Sequence, residues 1–255
     1  MPIVMDVRGS ASVVTLDFPQ KRNALNADDA VELVDVLRRA SVEAAEAESS
    51  ALILTGNGAF CSGGDLPYFA ALGATHTAEQ VRTTVYTKMQ DVVRALFECA
   101  LPTIAAIDGP AIGLGMDLAL ACDMRFIGPQ GYLMQGWARA GLIAGTGGVG
   151  FLARLAPAQF WSLTTEQTKV GMEAAVASGL GQPGDPDALT AALARAERIS
   201  KVMGPQVAGH YAALARQARW PAAAEFEASA RIQGGLITSE RFRAMAERVL
   251  AAKST

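Results

Sequence analysis

One acid in this chain stands among residues that give it no water. Asp117 lies in Leu114-Gly115-Met116-Asp117-Leu118-Ala119-Leu120-Ala121, a run with no other ionisable group. A carboxylate there loses hydration, so it must be paired, hydrogen-bonded or raised in pKa, which makes it a candidate acid or base. An Asp near a helix start can also cap its own first turn. The residues before it, Ile104 to Gly113, read as an apolar strand running through Gly109-Pro110 into a glycine turn. Glycines let backbone approach a ligand closely, and the N–H groups that open a helix are unpaired, so such a join offers donors to an anion. Ala59 to Leu66, with Gly63-Gly64-Asp65, has the same build. Two turns that each aim one N–H at a single oxygen form an oxyanion hole in outline.

These turns need a frame to hold them. Val13 to Phe18 reads as a strand closed by Pro19, followed by a turn over Gln20 to Asn26 and a helix from about Asp28 through Arg39, where Val31, Leu33, Val34 and Leu37 recur at helical spacing. Ser41 to Ser50 continues or follows it as an exposed piece. Ala51 to Gly56 is a short, continuously apolar strand of the kind buried on both faces. Gly58 to Leu66 reads as a second strand, a glycine turn and a helix start, and Pro67 to about Thr77 as a mobile loop. Glu79 to Cys99 predicts a long amphipathic helix stopped by Pro102, and Met124 to Ile127 another strand before the turn Gly128 to Gly131. From Gly184-Asp185-Pro186 onward the chain is Ala-rich and helical: Ala188 to Met203, Pro205 to Arg219, Pro221 onward and Ser239 to Lys253. A boundary is drawn near residue 190, and a helical tail of that length must pack on its own core or on a partner subunit.

Composition narrows the function classes. The 255 residues can bury a substantial core, and 51% are hydrophobic, yet no apolar run approaches the roughly 20 residues of a membrane helix. The 22 basic and 25 acidic residues are mixed throughout, which leaves no basic field for nucleic acid. No secretory signal is visible at Met1 to Asp6. Cys61, Cys99 and Cys122 are widely spaced and predict buried thiols in a reducing, cytoplasmic compartment. His76 and His210 are the only histidines, too few for a His-based zinc site or triad beyond chance placement. Gly145-Thr146-Gly147-Gly148-Val149-Gly150 matches GxGxxG with Glu166 at a suitable distance, but Leu142-Ile143-Ala144 is too short for the strand a dinucleotide fold requires.

Arg22-Asn23-Ala24-Leu25-Asn26, the apolar strand leading to Ala59 to Leu66, the stretch Pro102 to Asp123 and the C-terminal helices occur in an order and spacing that resembles the enoyl-CoA hydratase/isomerase, or crotonase, superfamily over nearly the whole chain. The resemblance implies an α/β fold, a spiral of ββα units over residues 1–190, with a helical C-terminal region at 191–255 that builds a homotrimer or a dimer of trimers. It also implies an acyl-CoA thioester as the bound substrate, with coenzyme A part of that substrate and no tightly held cofactor or metal. The thioester carbonyl would lie between the N–H groups of Gly64 and Leu114. CoA would run along Arg22, Ala24 and Leu25 and along Ser62, Gly63, Gly64, Asp65 and Leu66. Lys21 and Arg22 are candidates for phosphate contacts or solvated turn charges.

The same resemblance exposes a departure. Hydratases of the family use two glutamates; the first position matches Asp117 and the second Trp137, which exchanges no proton at neutral pH. Losing one member of such a pair removes general acid–base assistance of about 10²–10⁴-fold. Trp137 at this place resembles 4-chlorobenzoyl-CoA dehalogenase, where a Trp beside a nucleophilic Asp contacts the substrate, but that Asp position is Gly145 here. Two readings follow: an acyl-CoA enzyme of the lyase or isomerase kind with Asp117 as its acid/base, and an acyl-CoA-binding protein that kept the thioester grip, with Trp137 as an apolar packing surface. Gln135, Arg139, Thr146 and Tyr68 lie in stretches expected to face the acyl pocket, each also with an ordinary turn or surface explanation.

Overall fold

The computed structural model describes residues 2–46 and 48–252. Its strands are β1 (Ile3–Arg8), β2 (Ala11–Leu16), β3 (Ala51–Gly56), β4 (Thr103–Ile107), β5 (Pro110–Ile112), β6 (Met124–Ile127), β7 (Tyr132–Met134), β8 (Val170–Gly171) and β9 (Gln182–Pro183). One sheet has the order β1-β2-β3-β4-β6-β9, antiparallel only between β1 and β2, and a smaller one has the order β5-β7-β8. The helices are α1 (Ala27–Glu46), α2 (Leu66–Thr75), α3 (Ala78–Thr84), α4 (Gln90–Glu98), α5 (Leu114–Ala121), α6 (Gly148–Leu155), α7 (Phe160–Glu166), α8 (Met172–Ala177), α9 (Ala188–Arg219), α10 (Ala223–Ile237) and α11 (Glu240–Ala251).

The central strands β2, β3 and β4 are buried on both faces, as their mostly apolar sequences require. Successive side chains of a strand point to opposite faces. Leu52, Leu54, Val14 and Ala105 accordingly join the main core with Leu33 and Leu37 of α1 and Val92 and Leu96 of α4, while Ala51, Ile53, Val13 and Ile104 join a second cluster on the other face. That second cluster is closed by Ala188, Ala192 and Ala196, one small side chain per helical turn of α9. The expected division near residue 190 therefore falls just inside α9, whose first half is packed on the sheet.

Several expectations need correction. The stretch Pro67 to Thr77 is not a loop but helix α2, started by Asp65, whose carboxylate accepts from Tyr68 N–H, and by Pro67 in the first turn. Gly58 to Leu66 forms no strand of its own and contributes two isolated bridges, Cys61 with Ala111 and Gly64 with Leu25. β1 is an edge strand absent from the sequence reading. The long helix over 79–99 is found as α3 and α4 joined by a π-helical turn, Val85–Met89, whose Tyr86 carbonyl accepts from Arg94. The break between Met203 and Pro205 is found too, at Gly204 with φ 68°, inside α9.

Beyond that break α9 crosses the ends of α4 and α5. Arg216, fully buried, donates to Asp123 and to the carbonyls of Phe97, Cys99 and Leu101. Arg219 donates to the carbonyls of Leu120 and Ala121 and to Asp123, and Arg125 to those of Cys122 and Leu180. The unpaired carbonyls at two helix C-termini are thus satisfied by cations, the favoured sign at that end. Among the described residues no helix is long and apolar enough to cross a membrane.

Candidate active site

The two glycine turns meet. Leu25 N–H donates to Gly63 C=O at 2.9 Å, Asp65 N–H to Leu25 C=O at 2.9 Å, and Ser62 N–H to Arg22 C=O at 3.1 Å, so the loop over 22–25 and the stretch 62–65 are zipped side by side. Asn23, fully buried with φ 58°, ties that loop down: its Oδ1 accepts from Phe18 N–H and its Nδ2 donates to Ala59 C=O. On the other side Ile112 N–H donates to Cys61 C=O at 2.9 Å, which brings the start of α5 against the same stretch. Each turn has a glycine in the left-handed φ region immediately before the residue of interest, Gly63 at 116° before Gly64 and Gly113 at 54° before Leu114. The N–H groups of Gly64 and Leu114 donate no hydrogen bond to any described residue.

Both residues line one cavity of about 120 Å³, together with Gly63, Ile112, Trp137 and Phe242. Apart from backbone groups and Ser62, its wall is apolar. Among the other residues expected at the CoA site, Ser62 and Leu66 line the cavity, while Asp65 caps α2 and Leu25 is fully buried. Lys21 is bound to Asp29 at 2.5 Å with Asp65 at 4.0 Å, whereas Arg22 is exposed on the loop without an ion pair.

Asp117 does not line the cavity. It is fully buried behind Trp137, whose indole Nε1 donates to Asp117 Oδ2 at 3.1 Å; Thr146 Oγ1 donates to the same oxygen at 2.5 Å. Oδ1 has no partner and lies over Gly148, where any Cβ would overlap it. Burial drives the carboxyl up to about 7 against the pull of the two donors, so it is about half protonated near neutrality. The first turn of α5 is thus not capped by this side chain, which instead makes both of its bonds to distant parts of the chain.

Of the further candidates, Thr146 reaches the site and Gln135 supports it by accepting from Trp137 N–H at 3.2 Å. Tyr68 and Arg139 are outside the cavity wall, and Arg139 is exposed. Residues not anticipated hold the loop that carries Thr146: Gln90 Nε2 donates to Gly145 C=O at 2.6 Å, and Gln233 Oε1 accepts from Ile143 N–H at 3.2 Å. A buried amide in an otherwise apolar helix face is the only sequence signal either offered. Cys61, Cys99 and Cys122 are free and buried, His76 and His210 are exposed, and no cluster of metal-binding side chains occurs among the described residues. Residues 145–150 follow a turn, not a strand, and Glu166 ends helix α7.

A model of the enoyl-CoA hydratase/isomerase family matches residues 6–250. The chain belongs to that family. It is 35% identical over 248 residues to the "Probable enoyl-CoA hydratase" of Rhodobacter capsulatus, covering 93% of this chain and 90% of the relative. A protein of the same description from Mycobacterium tuberculosis is 33% identical over 230 residues, 88% of this chain and 82% of the relative. An enoyl-CoA hydratase structure from Bacillus halodurans superposes with a TM-score of 0.85 at 21% identity, covering 97% of this chain and all of that one. An enoyl-CoA hydratase/isomerase from Mycobacterium paratuberculosis gives 0.83 at 24%, covering 97% and 98%. The enoyl-CoA hydratase/isomerase fold, an α/β core with a C-terminal helical region, is therefore the fold of this chain.

Proposed function

We propose that the chain is an acyl-CoA enzyme that holds a thioester carbonyl between the N–H groups of Gly64 and Leu114 and stabilises the enolate formed from it, with Asp117 as the acid/base. The observation that carries this reading is the pair of unpaired N–H groups, each preceded by a left-handed glycine, on the wall of one apolar cavity. Negative charge gathers on the thioester oxygen only as the enolate forms, so fixed donors in a dry site favour the transition state over the ground state. CoA would lie along the zipped loops, with Arg22 free to meet a phosphate. Asp117 suits proton transfer because its carboxyl is poised near neutrality and Oδ1 carries no competing donor. A single carboxylate fits isomerisation or a specialised lyase step better than broad hydration. In its present place the carboxylate reaches the acyl group only when the Trp137 indole shifts aside.

That position of Trp137 favours a second reading, an acyl-CoA-binding homologue without turnover. Crotonyl-CoA and 3-enoyl-CoA thioesters offered to wild type and Asp117→Asn separate the two. The enzyme reading expects turnover in the wild type and a loss of about 10²–10⁴-fold in the variant. Equal turnover in both would remove Asp117 from the mechanism, and tight binding without product in either would select the binding reading.

A further inference from the structure

The last described helix, α11, contributes Phe242 to the lining of the acyl cavity. The cavity's polar lining is the backbone of the two glycine turns, Gly63-Gly64 and Gly113-Leu114, and its apolar lining includes Phe69 of α2, Trp137, Leu142 and Phe242 of α11. These four side chains are 8% exposed or less, so each is packed against protein on the side away from the cavity. Phe242 is not held there by chance contact. It sits at the third position of α11, and its own N–H donates to the N-cap hydroxyl of Ser239 at 3.2 Å, while Ser239 Oγ donates to Leu236 C=O at 2.6 Å. The neighbouring Arg241 side chain lies against Gly141, whose φ is 74°, at the end of the turn that carries Ala140. The start of α11 is therefore fixed both to α10 and to the wall opposite.

We propose that Phe242 sets the length of acyl group the site accepts, restricting it to short chains of about four carbons. This inference rests on the acyl-CoA reading of the same cavity. A protein cavity of about 150 Å³ holds one benzene molecule; the 120 Å³ found here must take the thioester carbonyl and the carbons beyond it. A butanoyl or butenoyl group fills that space, and an octanoyl chain meets the Phe242 ring. The Trp137 indole, bonded to Asp117 through Nε1 while Gln135 accepts from the backbone N–H of the same residue, gives the short chain a flat apolar surface to lie on.

Titration calorimetry with butanoyl-, hexanoyl-, octanoyl- and decanoyl-CoA, on wild type, Phe242→Leu and Phe242→Ala, tests the assignment. Each methylene that finds room strengthens binding by about fourfold. Wild type is expected to bind butanoyl-CoA at least about tenfold more tightly than octanoyl-CoA, Phe242→Leu to narrow that ratio and Phe242→Ala to invert it. Wild type that binds octanoyl-CoA as well as butanoyl-CoA overturns the proposal, as do folded variants that keep the wild-type ratio. Should Phe242→Ala fail to melt cooperatively, Phe242→Leu alone decides by the same ratio. Binding of none of the four thioesters overturns the acyl-CoA reading itself and the length limit with it, a result distinct from tight binding with the wrong length preference.

Discussion

Helix α5 has an acid at each end, Asp117 fully buried and Asp123 partly so, and the two are treated in opposite ways. Asp117, in its first turn, has two neutral donors on one oxygen and none on the other, and burial lifts its carboxyl to about 7. Asp123, just past its last turn, would be lifted by burial too, but the Arg216 and Arg219 guanidiniums hold it below the usual carboxylate range. Thr103 adds an N–H and a hydroxyl to the same carboxylate. One acid is left able to change its charge near neutrality, and the other is held as an anion there and locks α9 to the core. The contrast separates a group suited to chemistry from a group suited to structure within seven residues of sequence.

The contrast can be broken most directly at its structural end. Asp123→Asn leaves Arg216 charged, buried and short of its anion, and breaking such a pair costs about 3–5 kcal/mol. A chain of this size loses roughly 2–4 °C per kcal/mol, so the melting temperature at pH 7 should fall by roughly 10 °C. A change under about 1 kcal/mol would mean that the clasp is no different from a surface ion pair.

A second test reads the two acids through pH. The folded chain binds the Asp117 proton more tightly than the unfolded chain, so its contribution to stability is full below about 4 and falls as pH rises to about 7. Asp123 has the opposite sign, its contribution being present above the ordinary carboxylate pKa and lost as acid protonates it. Urea unfolding from pH 4 to 8 should show wild type losing roughly 2–4 kcal/mol relative to Asp117→Asn as pH rises. Relative to Asp123→Asn, wild type should lose stability only below about pH 4, in the same series carried down to about pH 2. Parallel curves for the two variants would erase the distinction.

The smallest effect sharpens how Asp117 is tuned. Thr146→Val removes the shorter of its two hydrogen bonds, and bonds to a charged group are worth about 1.5–3 kcal/mol, so the midpoint near 7 should move up by about 1–2 units. Trp137→Phe removes the longer bond and should move it up by less. The pH dependence of turnover, or of unfolding if turnover is absent, measures both shifts; a downward move in either variant would show that these donors do not favour the ionised form.

The sequence made one half of this site readable and hid the other. Gly63 and Gly113 announced themselves because a left-handed backbone asks for glycine, and an acid inside Leu114 to Ala121 stands out against its neighbours. Helix α2 was misread because Leu66 to Thr75 is rich in small and apolar residues on all sides and so lacks a helical stripe; its signal was the local pair Asp65 and Pro67 at the start. The Trp137 to Asp117 bond spans 20 residues and the placement of Phe242 in the cavity joins elements more than a hundred residues apart, which no local pattern encodes. The same holds for Gln90 and Gln233, whose bonds to the loop over 143–145 are tertiary.

The Arg216 clasp and Phe242 also show how late in the sequence the fold is completed. Both come from helices that follow every strand of the sheet in sequence, yet they complete structures begun 93 residues or more earlier: the ends of α4 and α5, and the lining of the cavity. Without them one face of the sheet is uncovered, the helix ends are bare and the cavity lacks its Phe242 side chain. A product cut short before α9 would therefore keep every strand of the sheet and lose the cover on one of its faces, which leaves it short of a closed core rather than merely short of a site.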